Sequence, residues 1–314
     1  SCKRVFSKIK IMSNILFKKV SFIGIGLIGS SLARVIRRDN LAQEVVAYAR
    51  TEQTRSKVLE LNLVDSSTDN ISMAVEGADL VILCTPIGAY ETVAKNISGA
   101  LKNGAIVSDV GSVKGSVIES IARYMPDGVH FVPCHPIAGT ENSGPESGFD
   151  TLFKDRWTIV TPVEGTDPTA IQRVANLWRS AGSKIEYMDP DHHDQVLAIT
   201  SHVPHLIAYT IVGTATDLEE RLKSEVIKFA ASGFRDFTRI AASDPIMWRD
   251  IFLNNKDAVL EMLGRLTEDL GGLQRAIRNE DGERLEALFS RTREIRRSVI
   301  EVGQHIPPKP PKET

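Results

Sequence analysis

Through its first half the chain alternates short apolar runs with stretches in which apolar residues recur every three or four positions. The runs KVSFIG (19–24), EVVAYA (44–49), DLVILC (79–84), AIVSDV (105–110) and HFVPC (130–134) are too short for helices and predict strands. The amphipathic stretches between them predict helices, and this alternation builds a parallel sheet covered on both faces. WTIVTP (157–162) and KIEYMD (184–189) read as further strands flanking a helix whose apolar face includes Ile171, Val174 and Leu177. After about residue 189 the strand pattern stops. HHDQVLAITSHVPHLIAYTIVGTA, SEVIKFAASGF, MWRDIFLNNKDAVLEMLGRLTEDLGGLQRAI and ERLEALFSRTREIRRSVIEVG carry helical spacing, which predicts an all-α second domain.

Those helices hold more apolar surface than a small bundle buries alone, so pairing of two chains into a homodimer is expected. The expected organisation is an N-terminal extension (1–17), an α/β domain (18–188), a helical domain (189–305) and a proline-rich tail (306–314). The first residues, SCKRVFSKIKIMSN, are basic and acid-free, and read either as a weak transit peptide or as residues preceding a start at Met12.

Composition narrows the partners. With 314 residues, 42% hydrophobic and 25% charged, the chain has ordinary globular content for two domains. A net charge of −2 supplies no basic field for nucleic acid or an acidic membrane, and no run of eighteen apolar residues appears. A small-molecule partner is expected. Cys2, Cys84 and Cys134 are too few and too widely spaced for a disulfide framework or a zinc cluster, so a cytoplasmic location is expected.

FIGIGLIGSSLARVI contains Gly24-x-Gly26-x-x-Gly29 directly after a strand and opening a helix. That is the dinucleotide fingerprint of a Rossmann-type doubly wound domain: a tight turn, a close approach for a pyrophosphate, and close helix–strand packing. Leu27 and Ile28 open the helix that meets the phosphates. The acid expected at the end of the second strand is missing, and Arg50 and Thr51 stand there, with Arg55 a turn later. Arg50 can receive a 2′-phosphate, which favours NADP, or stack on adenine with NAD accepted.

Ligands of such sheets bind outside the carboxyl ends of the strands. Cys84-Thr85-Pro86, Gly111-Ser112-Val113-Lys114 and His135-Pro136 all end there and can line one crevice with Thr85 and Pro86 near the cofactor. Ser112 reads as a contact to substrate or nicotinamide, or as the cap of a helix starting at Val113. His135 reads as a general acid/base or as an imidazole closing its strand. Its neighbour Cys134 points to the opposite face of an extended chain and is no partner for it. His202 and His205 share one helix face, with Pro204 disturbing the helix between them, while His192-His193-Asp194 reads as a helix start. No spacing matches a metal motif, so no metal is expected. Arg235, Arg239 and Arg249 can bind carboxylates, and one buried near the cleft is the functional candidate.

Together, GIGLIGSSLA, SDVGSVKG, HPIAGTENSG, SHVPH and GFRDFTRIAASDPIMWRD resemble the prephenate/arogenate (cyclohexadienyl) dehydrogenases of tyrosine biosynthesis, in order over residues 18–275. The resemblance implies NAD(P)-dependent oxidative decarboxylation of a cyclohexadienyl ring and a helical dimerisation domain. It implies His135 as the base for the ring hydroxyl, Ser112 as its orienting partner, His205 and Ser201 as substrate contacts, and Arg239 as ligand of a substrate carboxylate. Asp194 and Asp236 are expected to hold Arg239 or the domain interface by ion pairs. Glu141 is the candidate for an arogenate ammonium, or else a gate or helix-start acid. Two other readings stay open: a β-hydroxyacid or imine reductase, which would place a lysine or aspartate where this chain has His202 and His205, and a nicotinamide-binding sensor without catalysis.

Overall fold

A computed structural model of the chain describes residues 15–217 and 232–301, with Glu225 and Lys228 between them. Most of the expected N-terminal extension, the first part of SEVIKFAASGF and the whole proline-rich tail lie outside the described residues.

Six strands form one parallel sheet: β1 (Phe17–Ile23), β2 (Ala42–Tyr48), β3 (Ser66–Thr68), β4 (Leu80–Leu83), β5 (Ile106–Asp109) and β6 (His130–Val132). Their order is β3-β2-β1-β4-β5-β6, so the winding reverses between β1 and β4 and opens a crevice at their carboxyl ends. The helices α1 (Leu27–Arg38), α2 (Glu52–Glu60), α3 (Ile71–Val75), α4 (Tyr90–Ile97) and α5 (Gly115–Ala122) connect the strands. Every residue of β4 and β5 is buried, so β4 reads as an unbroken apolar run, while β5 ends in the buried polar pair Ser108 and Asp109. One face packs Phe22, Leu32, Leu80 and Trp178, the other Ile23, Val81, Val107 and Ile121. The polar three-residue β3, Ser66–Thr68, carried no apolar signal and was not expected.

The expected strand over 130–134 is two strands. Pro133 has no N–H for a ladder, and there the chain leaves the large sheet. It enters β7 (Cys134–Pro136), which pairs antiparallel with β8 (Trp157–Val160), itself parallel to β9 (Lys184–Tyr187). His135 therefore lies inside a strand opposite Ile159, not beyond a strand end. The helix α6 (Pro168–Ser180) lies between β8 and β9 in the chain and buries Val174 and Leu177, with Ile171 half-buried beside them.

The helical domain runs through α7 (Pro190–Leu197), a π-helical turn (Ala198–His202), α8 (Val203–Thr216), α9 (Ser232–Thr238), α10 (Pro245–Asn254), α11 (Lys256–Arg278) and α12 (Gly282–Glu301). The π turn ends just before Pro204 and absorbs the disturbance expected of it. The helical pattern that begins at Met247 breaks at Asn255, whose buried amide donates to the Asp194 carbonyl and to His202 Nδ1. By length and composition Pro190–Thr216 is apolar enough to cross a membrane. Its His193, Asp194 and His202 are instead buried, two of them bonded to the α/β domain.

Two contacts seat the helical domain over the crevice. Val113 packs with Trp248 and Ile251 of α10. Gly88 lies so near Asp250 that a Cβ there would stand 2.6 Å from the carboxylate.

Candidate active site

At the switch point, Gly24 takes φ +79°, and a Cβ on it would fall 2.9 Å from Thr85 Cγ2. A Cβ on Gly29 would stand 3.3 Å from Cys84 Sγ, a tight contact that glycine relieves where α1 approaches the end of β4. Gly26 differs: a Cβ there would meet nothing within 4 Å. Gly26 caps α1 with no side-chain hydrogen bond to the helix end, where Leu27 and Ile28 begin the first turn. Uncapped backbone N–H groups beside an open glycine suit a pyrophosphate. Thr85 Oγ1 is buried at the same turn without a partner among the described residues, and Pro86 starts the short 3₁₀ turn Ile87–Ala89 beyond it. The residues present thus fit a dinucleotide. Thr51 caps α2, accepting from Thr54 N. Arg55 turns inward to the Ala49 and Arg50 carbonyls and to Glu52, which leaves Arg50 as the exposed guanidinium at the end of β2.

Asp109, at the end of β5, ties the loop carrying Ser112 to the strand carrying His135. Its carboxylate accepts from Gly111 N, from the fully buried Lys114 Nζ, and from Cys134 N. Burial pushes the Cys134 thiol up to about 12, so it stays protonated and offers no thiolate.

His135 is 8% exposed, and its Nδ1 lies 2.9 Å from Nε2 of His193. His193 Nδ1 in turn lies 2.8 Å from Asp194 Oδ1. Burial, reinforced by the positive charge of Lys114 and by His193 and His202, holds His135 well below the ordinary histidine range, so it is neutral at pH 7. His193 is lowered too, chiefly by burial. His193 was read only as part of a helix start. It does occupy the first turns of α7, capped by Asp189, but the fold turns it onto His135.

Several expectations need correction. Ser112 does not cap a helix at Val113: α5 begins at Gly115, and its leading N–H groups are capped from the other domain by Asp194, at 2.8 Å from Lys114 N and 2.9 Å from Gly115 N. Among the described residues no hydrogen bond joins Ser112 to His135; that place is held by His193. Asp194 does hold the domain interface, but through backbone N–H groups rather than an ion pair with Arg239, and among the described residues Asp236 pairs with its neighbour Arg235. None of the three arginines is buried. Arg239 is ion-paired to Glu141 at 3.0 Å, and Arg249 to Asp250.

On the helical side, His205 donates from Nδ1 to the Ser201 carbonyl and stacks on Trp248 with ring centres 3.6 Å apart. His202 is buried edge-on to the same indole, and burial lowers it to about 4. Its Nδ1 accepts from Asn255, so Nε2 carries the proton, and among the described residues that N–H has no partner in hydrogen-bond geometry. Trp248 Nε1 is likewise a buried donor with no acceptor among the described residues. Trp248 was not foreseen, and no local pattern marks it.

A glycine cradle for a dinucleotide, set beside a buried neutral imidazole, is the working arrangement of an NAD(P)-dependent oxidoreductase. Residues 32–187 match the nucleotide-binding domain of prephenate dehydrogenase and residues 189–291 its dimerization domain, and the chain belongs to the prephenate dehydrogenase family. It is 42% identical to a cyclohexadienyl dehydrogenase of Zymomonas mobilis over 89% of this chain and 95% of that one. Its fold matches prephenate dehydrogenase from Aquifex aeolicus, solved with hydroxyphenyl propionate and NAD+, with a TM-score of 0.84, 34% identity, and coverage of 90% and 98% of the two chains. Arogenate dehydrogenase of Synechocystis is similar at a TM-score of 0.76 and 29% identity, over 90% and 99%.

Proposed function

We propose that the protein oxidatively decarboxylates prephenate to 4-hydroxyphenylpyruvate, with arogenate as a second substrate. The observation that carries this is the neutral, buried His135 at the crevice beside the glycine cradle. A nicotinamide held at the glycine cradle would supply the acceptor for the hydride of ring carbon four. His135 accepts the proton of the hydroxyl on that carbon, and carbon dioxide departs as the ring becomes aromatic. Aromatisation drives the step, so the protein has mainly to position the ring and take one proton. Such a base contributes about 10²–10⁴ in rate.

The substrate is an anion, and the cleft offers matching donors. Among the described residues His202 Nε2 and Trp248 Nε1 are buried donors without a partner, which suits oxygen acceptors of a ligand. Ser112, Ser201 and His205 are proposed as contacts of the ring, and Arg239 as the group that receives a carboxylate once it leaves Glu141. Glu141 then remains for the ammonium of arogenate. Arg50, with no acid at the end of β2, favours NADP while NAD is accepted. Initial rates with NAD and NADP, each against prephenate and arogenate, test both assignments. Turnover of prephenate should be lost in His135→Asn with the fold intact; retained turnover overturns the reading.

Pairing of two chains belongs to the same proposal. Leu253, Leu260, Leu270, Ile277, Phe289 and Ile295 lie exposed on α10, α11 and α12. Light scattering should give twice the chain mass, and Ile277→Asp should lower it. The free thiols Cys84 and Cys134 fit a reducing cytoplasm.

A further inference from the structure

We infer that His193 is a positioning residue for His135, holding it in the tautomer whose Nε2 lone pair is offered to the substrate hydroxyl. The inference rests on the reading of His135 as the proton acceptor.

The direction of each hydrogen bond follows from Asp194. Its two oxygens accept from Lys114 N and Gly115 N, and a carboxylate has no proton to give. His193 Nδ1, 2.8 Å from Oδ1, must therefore be the donor. A neutral imidazole carries one N–H, so His193 Nε2 bears a lone pair and accepts. Its neighbour at 2.9 Å is His135 Nδ1, which must then hold the proton. The lone pair of His135 is left on Nε2.

A charged His193 would reverse this outcome, because its Nε2–H would point at His135 Nδ1 and put the other proton on His135 Nε2. The surroundings oppose that state. His193 is fully buried, and Lys114 brings a positive charge from the β5–α5 loop, against which Asp194 and the more distant Asp109 are the attractive groups. His202 adds a further imidazole on the helical side. The net direction for both imidazoles is toward the neutral form.

In the reaction the hydroxyl O–H bond breaks and an N–H bond forms at His135 Nε2. The imidazolium so formed already donates through Nδ1 to His193, and the Asp194 carboxylate at the far end of the chain faces the new charge. Nothing has to rotate.

Nitrogen-15 spectra of the full chain labelled at histidine read the tautomer directly. Between pH 7 and 8, His135 should show a protonated Nδ1 and a bare Nε2; a protonated Nε2 overturns the inference. His193→Ala should lose roughly 10²-fold in kcat with KM for prephenate unchanged. His193→Gln, whose amide oxygen can accept from His135 Nδ1, should recover most of that loss. Wild-type kcat in His193→Ala, or no recovery in His193→Gln, overturns it. His135→Asn separates the two levels: if that variant still turns over, the base itself is wrong. If it is dead while the wild-type spectrum shows Nε2–H, only the role of His193 falls.

Discussion

Arg239 of the helical domain donates to Glu141 of the loop after β7 at 3.0 Å, so the arginine read as a substrate ligand already holds a protein carboxylate. Both side chains are substantially exposed, at 55% and 38%, which keeps the pair weak, within about 1 kcal/mol. A substrate carboxylate can therefore displace Glu141 without a large penalty. Arg239→Ala should raise KM for prephenate about 10-fold or more with a smaller change in kcat, consistent with a lost charge-assisted bond. Glu141→Gln should lower KM for prephenate and raise it for arogenate, which steady-state kinetics with both substrates checks.

Burial lowers His135, and a base works only when unprotonated. Activity should therefore persist as pH falls through 6.5, with the acid limb of kcat/KM centred below that value. A limb centred above pH 6.5 would contradict the buried, neutral imidazole.

The same burial makes stability depend on pH. His202 is lowered to about 4, so between pH 6.5 and 4 its unfolded form binds a proton that the folded form refuses. Stability is full above about 6.5 and falls as pH drops through that window, by on the order of 3 kcal/mol from this group. Urea midpoints at pH 7.5 and 4.5 measure the loss, and His202→Asn should flatten it.

Gly26 separates binding from folding. Its Cβ would meet nothing in the protein, so Gly26→Ala should leave the melting temperature within a degree or two, roughly the scale of a surface change. The added methyl takes the space of the pyrophosphate, and KM for the dinucleotide should rise at least about 10-fold. Gly24→Ala should lose both, because of its positive φ and the contact with Thr85.

Asp194→Ala should destabilise the chain by about 2–3 kcal/mol, since it strands the N–H groups of Lys114 and Gly115 and the His193 ring. Equilibrium denaturation reads this, and kcat should fall with it.

The glycine loop was legible because turn chemistry is local: strand, three glycines and helix stand within one short stretch. The helical second domain was legible through its period, and the motif around His135 singled out a histidine that the fold buries against His193. What the sequence hid lay in pairings between distant residues. His193 sits in DPDHHDQ, which reads as a capped helix start and is one; nothing local says that its ring crosses to a residue 58 positions earlier. Arg239 and Glu141 are 98 positions apart. Asn255 broke a helix that the apolar period carried straight through, because its amide serves Asp194 and His202 rather than its own turn. Pro133 was a readable signal, since a residue without an N–H marks where a strand leaves its ladder.

The cap that Asp194 places on α5 spans the two domains, and so does the chain of imidazoles behind His135. Any motion that lifts the helical domain away would uncap α5 and release the His135 tautomer in the same stroke. With His135 as the proposed base, a partly opened molecule would keep its glycine cradle on the α/β domain yet lose the aligned imidazole, which would make correct docking of the two halves a checkpoint on turnover.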